Sequence, residues 1–172
     1  DLRQQALRHT ITRCDALPFT HHHVDHIFGL DEVRRFNVTM QSAVDIYAEP
    51  DTLRALQRVY QHIFDARANS NSSFVANLIS HTIEPGASLD LFGLLITPIR
   101  LLHGRTPIVG FRIDDLSGSP GAATPLPMAY CTDVSGIPPE SWKLLTGLET
   151  LVLDALRLRH HPTHYNLPQA VE

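Results

Sequence analysis

Thr20-His21-His22-His23-Val24-Asp25-His26 places four histidines and a carboxylate within seven residues and contains the pattern H-x-H-x-D-H. On extended backbone alternate residues point the same way, so His21, His23 and Asp25 converge on one side while His22 points elsewhere. His26 joins them as the chain turns into a helix. Neutral imidazole and carboxylate are the ligand types that suit zinc and related divalent ions, at about 2.0–2.2 Å. A metal needs several such groups in one small sphere, and this stretch supplies four: His21, His23, Asp25 and His26. His22 is out of phase and reads as a bystander.

Working outward, the short apolar run Asp15-Ala-Leu-Pro-Phe-Thr20 predicts a strand running into the histidine loop, although Pro18 cannot donate a ladder hydrogen bond. Ile27, Leu30 and Val33, at helical spacing, predict a helix from Ile27 to Phe36 on the other side. Further helices are expected over residues 2–8, from Pro50-Asp51 to about Phe64, and from Pro138 to Leu145. Strands are expected at Asp45–Ala48, Ile79–Ile83, Leu89–Leu91, Leu94–Ile99, Ile108–Ile113, Met128–Cys131 and Thr150–Asp154. Residues 65–73 and 117–127, rich in small residues and turn formers, read as loops. Strands alternating with helices give an α/β class with helices covering sheet faces.

Two apolar runs end in further candidate ligands. Leu101-Leu102-His103-Gly104 places a histidine at a strand end before a glycine turn, and Met128-Ala-Tyr-Cys-Thr-Asp133 ends a strand with a carboxylate. Alone, Asp133 would read as a turn former; beside H-x-H-x-D-H, both it and His103 become ligand candidates. Asp154, also at a strand end, reads either as support for a ligand or as a cap, and is not assigned to the site. Cys131 lies inside an apolar strand and reads as a packed core thiol.

The chain has 172 residues, 43% of them hydrophobic, and 11 histidines. That size suits one domain with a real core, taken as residues 1–172. The histidine clusters are internal and mixed with Asp, Thr and Pro, unlike an affinity tag. Net charge is −4 and the 14 Lys and Arg are scattered, which argues against a long nucleic acid as partner and favours a small substrate. No run approaches the roughly 18 apolar residues of a membrane span. The start, Asp1-Leu2-Arg3, has no signal-peptide character. Two cysteines without a CxxC fit a reducing compartment, so a cytoplasmic location is expected.

The motif at 21–26, His103 after one strand and Thr132-Asp133 after another resemble the metallo-β-lactamase superfamily. Asp1-Leu-Arg-Gln-Gln-Ala-Leu-Arg, Ile27-Phe-Gly-Leu-Asp-Glu-Val-Arg and Leu153-Asp-Ala-Leu-Arg are similar to the branch holding the carbon–phosphorus-lyase-associated cyclic phosphodiesterase and relatives of tRNA 3′ processing nuclease. The resemblance implies an αββα sandwich, here lacking N-terminal strands and a C-terminal segment, so that the chain reads as an internal fragment. It implies two divalent ions, zinc first, with manganese and iron as alternatives. His21, His23 and His103 would bind one and Asp25 with His26 the other, with Asp133 bridging both. A further histidine ligand, beyond a helix that would begin near Leu167, is not among these residues.

The expected activity is hydrolysis of a small or cyclic phosphodiester by metal-bound hydroxide, with Asp25 orienting the water. His164, in His160-His-Pro-Thr-His164, matches a histidine that this branch places beside the metals, and is expected to act on the leaving group. His160 and His161 read as exposed loop residues. A thioesterase or lactonase of the same superfamily shares every ligand, and an inactive truncated scaffold is the third reading. A di-iron oxygen-reducing protein carries Glu where His23 stands. Transfer-RNA processing calls for a long basic arm, which is not seen. A homodimer is an open option.

Overall fold

The computed structural model describes residues 1–65, 67, 69, 75–117 and 124–172. Most of the predicted loop at 65–73, and the centre of that at 117–127, lie outside the described residues. The chain forms two compact units, Asp1–Ile83 and Glu84–Glu172. Among the described residues no helix is long and apolar enough to cross a membrane.

The first unit is built on a three-stranded parallel sheet, β1 (Ala16–Pro18), β2 (Val44–Ala48) and β3 (Leu78–Thr82), in the order β1-β2-β3. Pro18 is tolerated because β1 is the edge strand, and the ladder resumes at Phe19, whose amide donates to the Tyr47 carbonyl at 2.8 Å. β2 alternates strictly: Val44, Ile46 and Ala48 are buried, while Asp45 and Tyr47 occupy the other face. The buried set packs with Ile27, Leu30, Val33, Leu53, Leu56 and Tyr60 from the helices. Each fully buried aliphatic side chain is worth about 1.5–3 kcal/mol against exposure, so this cluster holds the unit together.

The predicted helices are found at Leu2–Arg8 (α1) and, after β2, at Pro50–Val59 (α4). Two of them break where one continuous helix was expected. The segment 27–36 is instead α2 (Val24–Ile27), a 3-10 turn (Leu30–Val33) and α3 (Arg34–Met40). The break falls at Gly29, where a Cβ would lie 2.8 Å from Leu2 Cβ, so α1 can approach only because that position is glycine. The helix from Pro50 ends at Tyr60, which has non-helical dihedrals, before a short α5 (Gln61–Phe64). There the Tyr60 hydroxyl donates to the Ile27 carbonyl at 2.9 Å, tying the end of α4 to α2.

The second unit carries a five-stranded mixed sheet, β4 (Leu89–Leu91), β5 (Leu94–His103), β6 (Thr106–Asp115), β7 (Met128–Cys131) and β8 (Thr150–Leu153), paired in that order. β5 and β6 form a ten-residue antiparallel hairpin, longer than the runs read from sequence because Arg100 and Asp114 interrupt the apolar pattern without ending the ladder. β6 and β7 are antiparallel, and β7 and β8 parallel. Hence β5, β7 and β8 all run the same way, and their C-terminal ends share one edge. The core is Ile99, Leu101, Ile108, Ala129, Cys131 and Val134. Pro139–Leu145 is 3-10 rather than α-helical, and α6 covers Leu167–Val171.

Candidate metal centre

In the first unit, His21 to His23 are extended and the helix begins immediately after them: His23, at φ −65° and ψ 151°, caps α2. This is the strand-to-helix turn that the spacing demanded. The His21 ring centroid lies 4.6 Å from that of His23 and 4.2 Å from that of His26. Ligand atoms of His21 and His23 fall within 4.8 Å of each other, as do those of Asp25 and His26. His26 Nε2 is 3.5 Å from Asp25 Oδ2. His21 is buried and Thr20 Oγ1 is hydrogen-bonded to its Nδ1 at 3.1 Å, which directs Nε2 to the ligand role. Asp25 is mostly exposed. His22 joins none of the metal-competent groups among the described residues.

In the second unit, the common edge of β5, β7 and β8 presents His103, Asp133 and Asp154. His103 ends β5, and its Nδ1 donates to the Thr163 carbonyl at 2.7 Å. A carbonyl only accepts, so Nδ1 carries the proton and Nε2 is the nitrogen that can bind metal. Gly104 makes this contact possible. It sits at φ +62°, and a Cβ there would lie 2.8 Å from Thr163 Cγ2. The Thr163 amide donates in turn to His161 Nδ1 at 3.3 Å. Burial first, and then the charge of Arg157, hold the His161 imidazole below its usual pKa, in keeping with an accepting Nδ1. His161 is therefore half-buried and holds the turn, where an exposed loop residue was expected; His160 is exposed.

Asp133 follows β7 in the left-handed region, at φ +56°. Its ligand atoms lie within 4.8 Å of those of His103, and it forms a second group of the same tightness with Asp154 and His164. Asp154 Oδ2 accepts from His164 Nδ1 at 2.7 Å and from the Val134 amide at 3.0 Å. The His164 ring stands edge-on to His103, with centroids 4.7 Å apart. The loop carrying Asp133 is pinned to β5 by Ser135, whose amide donates to the Leu102 carbonyl at 2.7 Å and whose hydroxyl accepts from the Gly104 amide at 2.7 Å.

Each unit thus holds imidazole and carboxylate donors close enough to share an ion, and the donor chemistry fits a divalent metal. His21, His23, Asp25 and His26 belong to the first unit, and His103, Asp133 and His164 to the second. Asp154 is the member that sequence reasoning set aside. Its signal was the repeated design of an apolar strand ending in Asp, shared with the strand before Asp133. Cys131 is fully buried, burial pushes its thiol up to about 12, and it joins none of the metal-competent groups among the described residues.

Comparison with known proteins gives a consistent picture. The sequence profile of the β-lactamase superfamily domain matches residues 1–172. A solved structure described as a new diphosphatase from the PhnP family superposes with a TM-score of 0.82 at 37% identity, covering 99% of this chain and 59% of that one. The human short-form tRNase Z (ELAC1) superposes with a TM-score of 0.67 at 18% identity, covering 98% of this chain and 71% of that one, which speaks for the fold alone. An octanoyltransferase of Porphyromonas gingivalis (strain ATCC BAA-308 / W83) is 29% identical over 173 residues, which is 100% of this chain and 32% of that protein. The chain therefore spans about a third of that curated relative.

Proposed function

The chain belongs to the β-lactamase superfamily, and from that premise we propose that the full-length protein is a metal-dependent hydrolase of a small or cyclic phosphodiester. The observation that carries this reading is Asp133, which stands within ligand distance of His103 and forms a group of the same kind with Asp154 and His164. A carboxylate so placed suits a pair of ions. In this proposal His21, His23 and His103 hold one ion, Asp25 and His26 the other, and Asp133 serves both. Zinc is the first choice for such donors, ahead of manganese and iron. The likeness to a PhnP-family diphosphatase over 99% of the chain supports hydrolysis at a phosphoryl group.

Bound divalent ions supply Lewis acidity and offset negative charge on phosphoryl oxygens. The chain's own residues do the rest. Asp25, with its exposed carboxylate, orients the attacking water and takes up its proton. His103 is held in one tautomer by the Thr163 carbonyl. His164 keeps a proton on Nδ1 for Asp154 and presents Nε2 to the leaving oxygen, where it delivers a second proton as general acid. A cytoplasmic location belongs to the same proposal and suits the free thiols of Cys14 and Cys131.

Acyl-ester hydrolysis is the second reading, favoured by the octanoyltransferase match. The test is an assay of the full-length, metal-loaded protein against cyclic nucleotides, bis-p-nitrophenyl phosphate, octanoyl thioesters and lactones. Preference for the phosphodiesters is expected. Faster turnover of thioesters or lactones overturns the phosphodiesterase reading in favour of acyl chemistry.

A further inference from the structure

β1, β2 and β3 are parallel, so all three begin at one edge of the sheet and end at the other. His21 follows the end of β1, whereas Ser42 and Asn77 stand just ahead of β2 and β3. The five residues of β2, at about 3.3 Å each, put roughly 16 Å between the two edges. At the starting edge Ser42 and Asn77 join Arg34, Arg35, Val38 and Gln41, from α3 and its C-cap, around a cavity of about 640 Å³. That volume is in the usual range for small-molecule sites.

One side chain braces the walls. Asn37 donates from Nδ2 to the Ser42 and Asn77 carbonyls, each at 2.9 Å, and its Oδ1 accepts from the Asn77 amide at 2.9 Å. α3 and the entries to β2 and β3 are thereby fixed to one another, and a ligand meets a cavity already shaped. The lining is basic. Arg34 is paired at 3.3 Å with Asp31, which lies outside the cavity, whereas Arg35 has no carboxylate partner among the described residues, and none of those lining the cavity is acidic. The guanidinium in excess is a planar fork suited to phosphate oxygens. The Asn77 side-chain amide makes no hydrogen bond among the described residues. It leaves a carbonyl and an N–H side by side, the pair that reads the edge of an adenine base. Val38, 60% exposed, and Val75 add aliphatic surface for the face of the base.

We propose that this cavity binds a nucleoside monophosphate, with Arg35 on the phosphate, Asn77 on the edge of the base and Val38 and Val75 against its face. The site lies at the sheet edge away from the histidines, so its ligand is separate from any ester cleaved there. The proposal therefore stands whether or not the protein is a hydrolase.

The test is photolabelling of the full-length, metal-loaded protein with 8-azidoadenosine 5′-monophosphate, followed by peptide mapping. The label should fall within residues 34–42 or 75–77. Half-saturation there should need at least tenfold more probe in Arg35→Gln than in wild type or in Arg8→Gln, which alters an exposed arginine outside the cavity. Adenosine and ribose 5-phosphate should each protect these peptides at least tenfold less well than adenosine 5′-monophosphate. Asn77→Ala should weaken protection by the nucleotide at least tenfold and leave that by ribose 5-phosphate within twofold. Label that is absent or confined to the histidine loop, labelling indifferent to Arg35→Gln, or equal protection by either fragment of the nucleotide overturns the proposal.

Discussion

His164 donates from Nδ1 to Asp154 Oδ2 at 2.7 Å, and the same oxygen receives the Val134 amide at 3.0 Å. The carboxylate is thus anchored by backbone before it orients the ring. A histidine so held keeps its Nε2 aimed at one place, as a proton donor must. In the full-length enzyme His164→Ala should slow esters with alkyl leaving groups by about 10²–10⁴-fold, and barely affect p-nitrophenyl esters, whose leaving group departs without a proton. Metal content should be unchanged. Loss of metal would move His164 into the ligand set with Asp133 and Asp154.

Asp133→Asn keeps the shape of the side chain and removes its charge. Metal content by elemental analysis should fall, and hydrolysis should fall in step. Full metal content in the variant would rule out a shared carboxylate at this position.

Gly104→Ala forces a Cβ against Thr163 Cγ2 at a backbone dihedral that disfavours it. The Thr163 carbonyl must retreat, and His103 loses the partner that fixes its tautomer. Metal affinity should drop by about 10–100-fold, the range for a lost supporting contact. Adding Thr163→Ser, which deletes the obstructing methyl, should recover part of it. A variant with native affinity would show that the Thr163 contact does not orient the ligand.

The Cys131 thiol, raised to about 12 by burial, should resist iodoacetamide at pH 8.5 in the folded protein and react once denaturant is added. The unfolded thiol ionises near its ordinary value of 9.0 while the folded one stays protonated, so its contribution to stability is lost progressively between 9.0 and about 12. Denaturation midpoints in Cys131→Ala should fall less steeply over that window than in wild type. Equal slopes would mean that the thiol is not shielded.

Much of this was legible in the residues themselves. The H-x-H-x-D-H stretch carries its own geometry, because alternation on a strand and the first turn of a helix are local properties. His103 and Asp133 were readable as residues at the ends of apolar runs. Asp154 was readable in the same way but not assignable, since a lone Asp at a strand end is also a common turn former, and only β7–β8 pairing brings it to His164. The breaks at Gly29 and Tyr60 were hidden for a related reason. Each answers to a contact distant in sequence, Leu2 in one case and the Ile27 carbonyl in the other. His161 acquired its role through Thr163, a partner that composition could not single out.

Position 133 shows how a backbone can restrict chemistry before any ligand arrives. At φ +56° the residue occupies a region that Asn, Asp and Gly enter at low cost and longer or branched side chains avoid. Of those three, Asp alone brings a negative charge. Glutamate, the obvious chemical substitute, would carry a backbone cost of about 1–2 kcal/mol here, a cost the chain accepts at Gln41 (φ +53°) but need not bear at position 133. Among acidic residues the turn of polypeptide thus favours the shorter one, before any ligand arrives.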